Sequence, residues 1–193
     1  GWRDLYQKRI TSAEQAVKSI QSGDRLFLTG NCSVPKFLLG ALVERARAGD
    51  VEQVQINQVL TIGSADYVAP EMAGKLRVNT LFISDNVRQA VNDGRADYTP
   101  CFLSEIPKLF KEGIIPLDVA LIHCSPPDEH GFCSYGIEVG LTKPAAESAR
   151  MVIAEVNDRM PRTLGNSFIH VSKLTHVVPV SYNLSEITMG SPG

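Results

Sequence analysis

The chain has 193 residues, of which 44% are hydrophobic and 21% charged, and its formal net charge is −2. A chain of this length and composition is typical of one soluble globular domain, which buries roughly 70% of the surface that its unfolded form exposes. Lysine and arginine are scattered rather than gathered in a basic stripe, so no nucleic-acid partner is predicted. The apolar runs are far shorter than the roughly 18–20 residues of a membrane span, and no signal region opens the sequence. We therefore expect no membrane partner and a cytoplasmic location.

The first third of the chain predicts a helix, a strand and a second helix. Thr11 and Glu14 have the spacing of a capping box, with Thr11 as N-cap of a helix that carries an apolar stripe. Residues 25–29 form the first predicted strand. A turn over residues 30–35 then leads into a helix from about Pro35 to Ala48, with Pro35 at the first helical position, where proline is favoured.

The same alternation continues to the end of the chain. An internal proline, Pro107, predicts a kink or two short pieces in one helix. Strands that alternate with helices at this spacing predict an α/β fold with an open, mainly parallel sheet and helices on both faces. The further predicted strands are residues 52–60, 77–83, 119–124, 151–156, 168–171 and 176–180, and the further helices are residues 87–91, 102–110 and 142–149.

One stretch, residues 118–136, joins an apolar strand to a loop crowded with polar groups. Residues 119–122 suit a strand covered on both faces, and Pro126 and Pro127 end it because proline cannot donate to a sheet ladder. In open parallel sheets, ligands bind at the carboxyl ends of the strands. This loop is therefore the first place to look for function.

Five side chains of this stretch suggest a metal site or a Cys–His nucleophile, but their spacing is unfavourable for both. His123 and Cys124 point to opposite sides of a strand, and two prolines separate them from His130. The sequence favours a turn that is capped by acidic residues and closed by Gly131. A hydrolase that uses Cys133 and His130 stays as an alternative. The five side chains are those of His123, Cys124, Asp128, His130 and Cys133.

The four cysteines contain no Cys-x-x-Cys pair, which argues against a zinc ribbon or a redox dithiol. We expect reduced thiols, as is usual in the cytosol. Cys124 and Cys133 could approach each other across the loop between them. The other two cysteines of the chain are Cys32 and Cys101.

Three more positions have both a functional and a structural interpretation. Residues 30–35 precede a helix N-terminus, where free N–H groups favour an anion, but they lack the glycine pattern of a nucleotide phosphate loop. Arg88 could hold a carboxylate or phosphate through two hydrogen bonds, or could be a solvated surface group. Arg162 is predicted to anchor a turn rather than to reach a neighbouring domain.

Seven short segments in the same order give the chain a close resemblance to the N-terminal half of the acetyl-CoA hydrolase/transferase family, which includes 4-hydroxybutyrate CoA-transferases. The matching segments are residues 86–88 (Asn-Val-Arg), 94–100 (Gly-Arg-Ala-Asp-Tyr-Thr-Pro), 102–107 (Phe-Leu-Ser-Glu-Ile-Pro), 118–121 (Asp-Val-Ala-Leu), 125–131 (Ser-Pro-Pro-Asp-Glu-His-Gly), 156–157 (Val-Asn) and 160–163 (Met-Pro-Arg-Thr).

The resemblance implies a three-layer α/β/α domain, one of two similar domains in an enzyme that moves CoA between carboxylates. A glutamate attacks the acyl-CoA thioester and becomes a glutamyl-CoA thioester, which a carboxylate resolves, or water in a hydrolase. In the family that glutamate and the glycine-rich CoA-binding segment lie in the second domain, so no catalytic residue is assigned to this chain. The resemblance also implies a homo-oligomer, with CoA or acyl-CoA as substrate and no tightly bound cofactor or metal.

The resemblance further implies a domain over residues 1–184 and the start of a linker to a C-terminal domain at residues 185–193. A non-catalytic domain, or a subunit that needs a partner chain, stays as an alternative. The residues implied to line the cleft for the acyl group and pantetheine are Gly30, Asn31, Cys32, Pro35, Asn86, Arg88, Ser125, Pro126, His130 and Gly131.

Overall fold

The structure, a computed structural model, describes residues 1–29, 34–58, 67, 69–81, 85–99, 105–135, 141–162 and 167–184, with the backbone alone at 85–87 and 89. The helices of the described residues are α1 (Trp2–Arg9), α2 (Ala13–Val17), α3 (Lys36–Arg47), α4 (Asp85–Asn92), α5 (Ile106–Lys111) and α6 (Thr142–Ser148). The strands are β1 (Arg25–Leu28), β2 (Val54–Gln58), β3 (Leu76–Thr80), β4 (Ala96–Tyr98), β5 (Val119–Cys124), β6 (Phe132–Ser134), β7 (Met151–Asn157), β8 (Phe168–His170) and β9 (His176–Val180).

The strands form a seven-stranded parallel sheet and a separate two-stranded one. The order in the large sheet is β4-β3-β2-β1-β5-β7-β9, and β6 pairs antiparallel with β8. The chain builds outward from β1 to β4, returns to place β5 beside β1, and builds outward again to β9. The direction in which successive strands are added to the sheet therefore reverses between β1 and β5. Open sheets of this kind bind ligands at such a reversal. The predicted α/β fold is confirmed.

Each face of the large sheet carries its own hydrophobic core. Leu26 and Leu28 of β1 pack into the core shared with α2, α3 and α4, whereas Phe27 between them packs into the opposite core with α5, α6 and the two-stranded sheet. This alternation follows from the two-residue period of a strand. All six residues of β5 and all seven of β7 are buried, as expected for strands covered on both faces.

Two predicted helix starts are wrong by one residue, and the kink predicted at Pro107 is not seen in the described part of its helix. Ser12, not Thr11, is the N-cap of α2, because its Oγ accepts a hydrogen bond from the backbone N–H of Gln15 at 3.1 Å. Pro35 is the N-cap of α3 rather than its first helical residue. Pro107 lies in the first turn of α5 and produces no kink, since a proline there removes no hydrogen bond of the helix.

Two strands were not predicted, and one predicted strand belongs elsewhere. β4 and β6 have three residues each, too short to show a period, and β6 lies inside the stretch predicted as a polar loop. β8 was predicted at the edge of the main sheet but pairs with β6 instead. None of the helices in the described part of the chain is long and apolar enough to cross a bilayer.

Candidate functional site

The carboxyl edge of the large sheet gathers buried polar side chains around the reversal between β1 and β5. His123 and Glu155 occupy paired positions on β5 and β7, and Asn157 ends β7. All three are fully buried. Their alternation with core residues places them on the face of the sheet that α3 covers. Buried polar side chains at this edge mark it as the candidate site.

Glu155 joins three elements through its carboxylate. The backbone N–H of Leu38, in the first turn of α3, donates to Oε1 at 2.5 Å, and the Tyr182 hydroxyl donates to Oε2 at 2.5 Å. Burial raises the pKa of Glu155 to about 7, although the hydrogen bonds from Tyr182 and Leu38 act in the opposite direction. The side chain therefore holds a proton through a large part of the population near neutral pH.

Tyr182 is the other end of this contact and lies in the segment that follows β9. Its backbone is fastened to Asn157, whose Nδ2 donates to the Tyr182 carbonyl at 2.8 Å and whose Oδ1 accepts from the Tyr182 N–H at 3.3 Å. Its ring lies 5.3 Å from the His123 ring and 5.5 Å from the Phe37 ring. Burial and the neighbouring Glu155 raise the pKa of Tyr182, so the phenol remains protonated at neutral pH.

The N-terminal N–H groups of α3 are directed at the protein's own side chains. Leu38 N–H donates to Glu155, and Lys36 N–H donates to the Tyr182 hydroxyl at 3.4 Å. A carboxylate at this position also interacts favourably with the helix dipole. Of the residues predicted in the preceding turn, Pro35 is buried, whereas Gly30, Asn31 and Cys32 lie outside the described residues. Their role in the site stays a prediction.

The loop after β5 is a compact turn. Asp128 Oδ1 accepts hydrogen bonds from the N–H groups of His130 (2.8 Å) and Phe132 (2.9 Å), and Arg162 contacts its other oxygen at 3.3 Å. The bond from Phe132 is the main reason why the pKa of Asp128 is lowered. Arg162 also donates to the Phe132 carbonyl at 2.6 Å. The predicted capping role of Asp128 and the anchoring role of Arg162 are both confirmed.

Ser125 and Gly131 have local structural reasons for their identity. Ser125 is buried and pairs with Ser134, which accepts from its N–H at 2.9 Å and donates to its Oγ at 2.9 Å. Gly131 has φ +86°, and a Cβ there would lie 2.9 Å from atoms of both His170 and Trp2. Between them Pro126 is half-buried and the His130 side chain is 75% exposed.

The thiols and histidines of this loop do not form the sites considered from sequence. Cys133 is fully buried in the core that faces α6, whereas His130 projects into solvent. Cys124 and Cys133 are both free, and the contact with Cys133 together with burial raises the pKa of the Cys124 thiol, which disfavours the thiolate. Within the described ranges, no group of three His, Cys, Asp or Glu side chains is placed to hold a metal ion.

Asn86 and Arg88 lie on α4, after the carboxyl end of β3. Arg88 is exposed, and the side chain of Asn86 is outside the description. Sequence reasoning missed Glu155, Asn157 and Tyr182. One signal could have found Glu155: it is an acidic residue inside an otherwise apolar strand, and such residues are rarely buried without a partner.

The fold is that of an α/β protein whose parallel sheet gathers buried polar side chains at its carboxyl edge. A family model described as the acetyl-CoA hydrolase/transferase N-terminal domain matches residues 2–184, and the chain belongs to this family. It is 45% identical over 186 residues to a 4-hydroxybutyrate coenzyme A transferase of Clostridium kluyveri, a match that covers 96% of this chain and 43% of that protein.

Solved structures agree with this assignment. RipA from Yersinia pestis matches with a TM-score of 0.87 and 29% identity, over all of this chain and 47% of that one. A 4-hydroxybutyrate CoA-transferase from Porphyromonas gingivalis matches with a TM-score of 0.79 and 33% identity, over 96% of this chain and 42% of that one. The chain thus spans less than half the length of these relatives.

Proposed function

We propose that this chain is the N-terminal domain of an acyl-CoA:carboxylate CoA-transferase of the acetate or 4-hydroxybutyrate type. The observation that carries the proposal is the match of nearly the whole chain, at 45% identity, to 43% of a 4-hydroxybutyrate coenzyme A transferase. In this proposal residues 1–184 form the domain, and residues 185–193 begin the linker to a second half. The enzyme is a cytoplasmic homo-oligomer that takes CoA thioesters as substrates.

The second half supplies the nucleophilic glutamate. Its carboxylate attacks the carbonyl carbon of the acyl-CoA, the C–S bond breaks, and the CoA thiolate leaves a mixed anhydride. The thiolate then attacks the glutamyl carbonyl and releases the first carboxylate. The acceptor carboxylate attacks the resulting glutamyl-CoA thioester, and the same two steps in reverse give the new acyl-CoA.

This chain contributes one wall of the cleft, at the carboxyl edge of its sheet. In the proposal, backbone N–H groups of residues 30–35 stabilise the oxyanion that forms on the attacked carbonyl. Arg88 orients the carboxylate end of the acyl group. The remaining wall is the turn over residues 125–131, which its internal hydrogen bonds keep in one shape.

The proposal is tested by assaying the chain alone and then mixed with a separately produced second half, with acetyl-CoA and labelled acetate or 4-hydroxybutyrate. We expect no turnover by the lone chain and CoA transfer by the mixture. Borohydride, which reduces thioesters, should inactivate the mixture only after acyl-CoA has been added. Turnover by the lone chain would contradict the proposal, and thioester loss without an acceptor would identify an acetyl-CoA hydrolase instead.

A matched variant tests whether Glu105 is the nucleophile. Glu105 is an exposed glutamate just before α5. Glu105→Gln should leave transfer by the mixture unchanged, whereas the same substitution at the second half's nucleophile should abolish it. Loss of transfer in Glu105→Gln would place the nucleophile in this chain.

A further inference from the structure

The end of β1 and the start of α3 are held in different ways. At the β1 end, Thr29 is anchored by the sheet, since its N–H donates to the Leu121 carbonyl at 3.3 Å. At the α3 end the anchors are side chains from distant parts of the chain. Leu38 N–H is held by Glu155, which is 117 residues away, and Lys36 N–H by Tyr182, which is 146 residues away.

A carboxylate suits this position because donors reach it from two different elements. Its oxygens accept from the first turn of α3 and from the Tyr182 hydroxyl, both at 2.5 Å. Glutamine has nearly the same shape, but it offers one acceptor oxygen in place of two and no charge for the helix dipole. The exchange to glutamine therefore loosens the start of α3 without opening a cavity.

Tyr182 connects segment 181–184 to Glu155 and to the start of α3. Its hydroxyl contacts Glu155 and α3, while its backbone is bonded to Asn157 at the end of β7. The Lys36 ammonium lies 5.2 Å from the centre of its ring. Displacement of segment 181–184 therefore pulls directly on the first turn of α3.

We propose that Glu155 and Tyr182 are positioning residues for the transfer reaction: they fix the start of α3 relative to segment 181–184. This inference rests on the proposed function, in which N–H groups of residues 30–35 stabilise the oxyanion. Because an oxyanion exists only in the transition state and intermediates, loosening the start of α3 lowers kcat more than it raises the KM of acyl-CoA.

The kinetic test uses the two-half enzyme with Glu155→Gln and Tyr182→Phe. Each should lower kcat at least tenfold and change the KM for acyl-CoA less than threefold. Glu147→Gln, the same change at an exposed glutamate of α6, is the control and should match the wild type. If both test variants keep kcat within twofold of an active wild type, the positioning role is overturned and the proposed function stands.

Hydrogen exchange of the Leu38 amide, followed by NMR, tests the anchor independently of catalysis. In Glu155→Gln we expect this amide to exchange at least tenfold faster, while that of Leu121 in β5 stays unchanged. Tyr182→Phe, which keeps the ring and removes only the hydroxyl, provides a second variant if Glu155→Gln folds poorly, and should accelerate exchange at Lys36. Unchanged exchange at both amides overturns the inference, whether or not the enzyme transfers CoA.

Discussion

Two neighbouring regions at the carboxyl edge of the sheet use their ionisable groups in opposite ways. The turn after β5 holds an acid, a second acid and a histidine within three consecutive residues, yet the Glu129 and His130 side chains are 82% and 75% exposed. Near the end of β7, by contrast, the acid Glu155 lies within the strand and is fully buried. The density of ionisable residues in the sequence indicates the turn after β5 as the functional site. The burial of an ionisable side chain indicates the end of β7 instead.

The separation along the sequence between hydrogen-bond partners explains the difference between the two regions. Asp128 accepts from residues two and four positions ahead, so its carboxylate shapes the turn that contains it. Glu155 accepts from residues 117 and 27 positions away and so fixes separate elements relative to one another. Water competes with the first kind of contact and is excluded from the second, which is why, of these two acids, Glu155 has a pKa raised by burial whereas the pKa of Asp128 is lowered by its hydrogen bonds. Four predictions test this contrast.

Glu155→Ala should have the largest effect on stability. At pH 6 it leaves the buried Leu38 N–H without its acceptor, at a cost of roughly 1–3 kcal/mol, and leaves the half-buried Tyr182 hydroxyl with only its longer contact to the Val34 carbonyl at 3.5 Å. We expect the free energy of unfolding, measured by urea denaturation, to fall by about 3 kcal/mol. Glu147→Ala on the surface of α6 should change it by less than about 0.5 kcal/mol. A loss below about 1 kcal/mol in Glu155→Ala would contradict the buried role.

The pH dependence of stability should show the proton of Glu155. Its pKa in the fold, about 7, lies above the ordinary value of 4.5, so the folded state binds this proton more tightly than the unfolded state. The resulting stability is fully present below about pH 4.5 and is lost as the pH rises through 7, by up to about 3 kcal/mol.

The matched variant for that measurement is Glu155→Gln, which has no proton to lose. Urea unfolding of both proteins between pH 4.5 and 8 should show the wild type losing stability relative to the variant across this window. The neighbouring Lys36, Tyr182 and His123 are the same in both proteins, so the difference between the two curves reports the Glu155 carboxyl group. If the stabilities of the wild type and the variant changed in parallel with pH, the prediction would be contradicted.

Gly131→Ala should have an intermediate effect. The backbone there has φ +86°, and the added Cβ would meet His170 and Trp2 at 2.9 Å. We expect a loss of about 2 kcal/mol, from a left-handed residue and a steric clash. Gly23 has the same φ of +86° with open space around it, so Gly23→Ala isolates the backbone cost, about 1 kcal/mol. Equal losses at the two glycines would show that the turn yields to the added methyl group.

Asp128→Ala should have the smallest effect. The lowered pKa of Asp128 means that its contribution is present above the ordinary value of 3.8 and is lost as the pH falls through the folded value. The Tm of the variant should therefore lie slightly below that of the wild type at pH 7 and approach it near pH 3. His130→Ala, which removes an exposed side chain from the same turn, should leave the Tm unchanged. A fall in Tm that persists undiminished at pH 3 would show that Asp128 acts other than through its charge.

The sequence predicted best what depends on local pattern. β5 and β7 were predicted because continuous apolar runs are typical of strands buried on both faces, and the turn at Asp128 because an acid before a glycine closes a loop. The three-residue strands β4 and β6 were missed because they are too short for a period. At α2, Thr11 and Ser12 both carry a hydroxyl, and only the path of the chain decides which one reaches a free N–H.

The site was harder to predict than the fold for a physical reason. The bond between Glu155 and Leu38 joins residues 117 positions apart, and no local pattern encodes such a contact. The segments that carry the family resemblance include Asn157 but not Glu155 or Tyr182. A charged residue inside a buried strand was the one local sign, and it indicates that a partner is needed without indicating which.

The order of the strands also has a consequence for how the chain folds. β1 and β5 are neighbours at the centre of the sheet, yet Arg25 and Asp118, which pair beside them, are 93 residues apart. During synthesis β1 to β4 therefore emerge as a half-sheet whose inner strand has one open edge until β5 arrives. Pairings between such distant segments are slow to form, and open apolar edges are templates for association between chains. The central strand of the finished sheet thus keeps one open edge until β5 has been made, and during that period the nascent chain is exposed to aggregation.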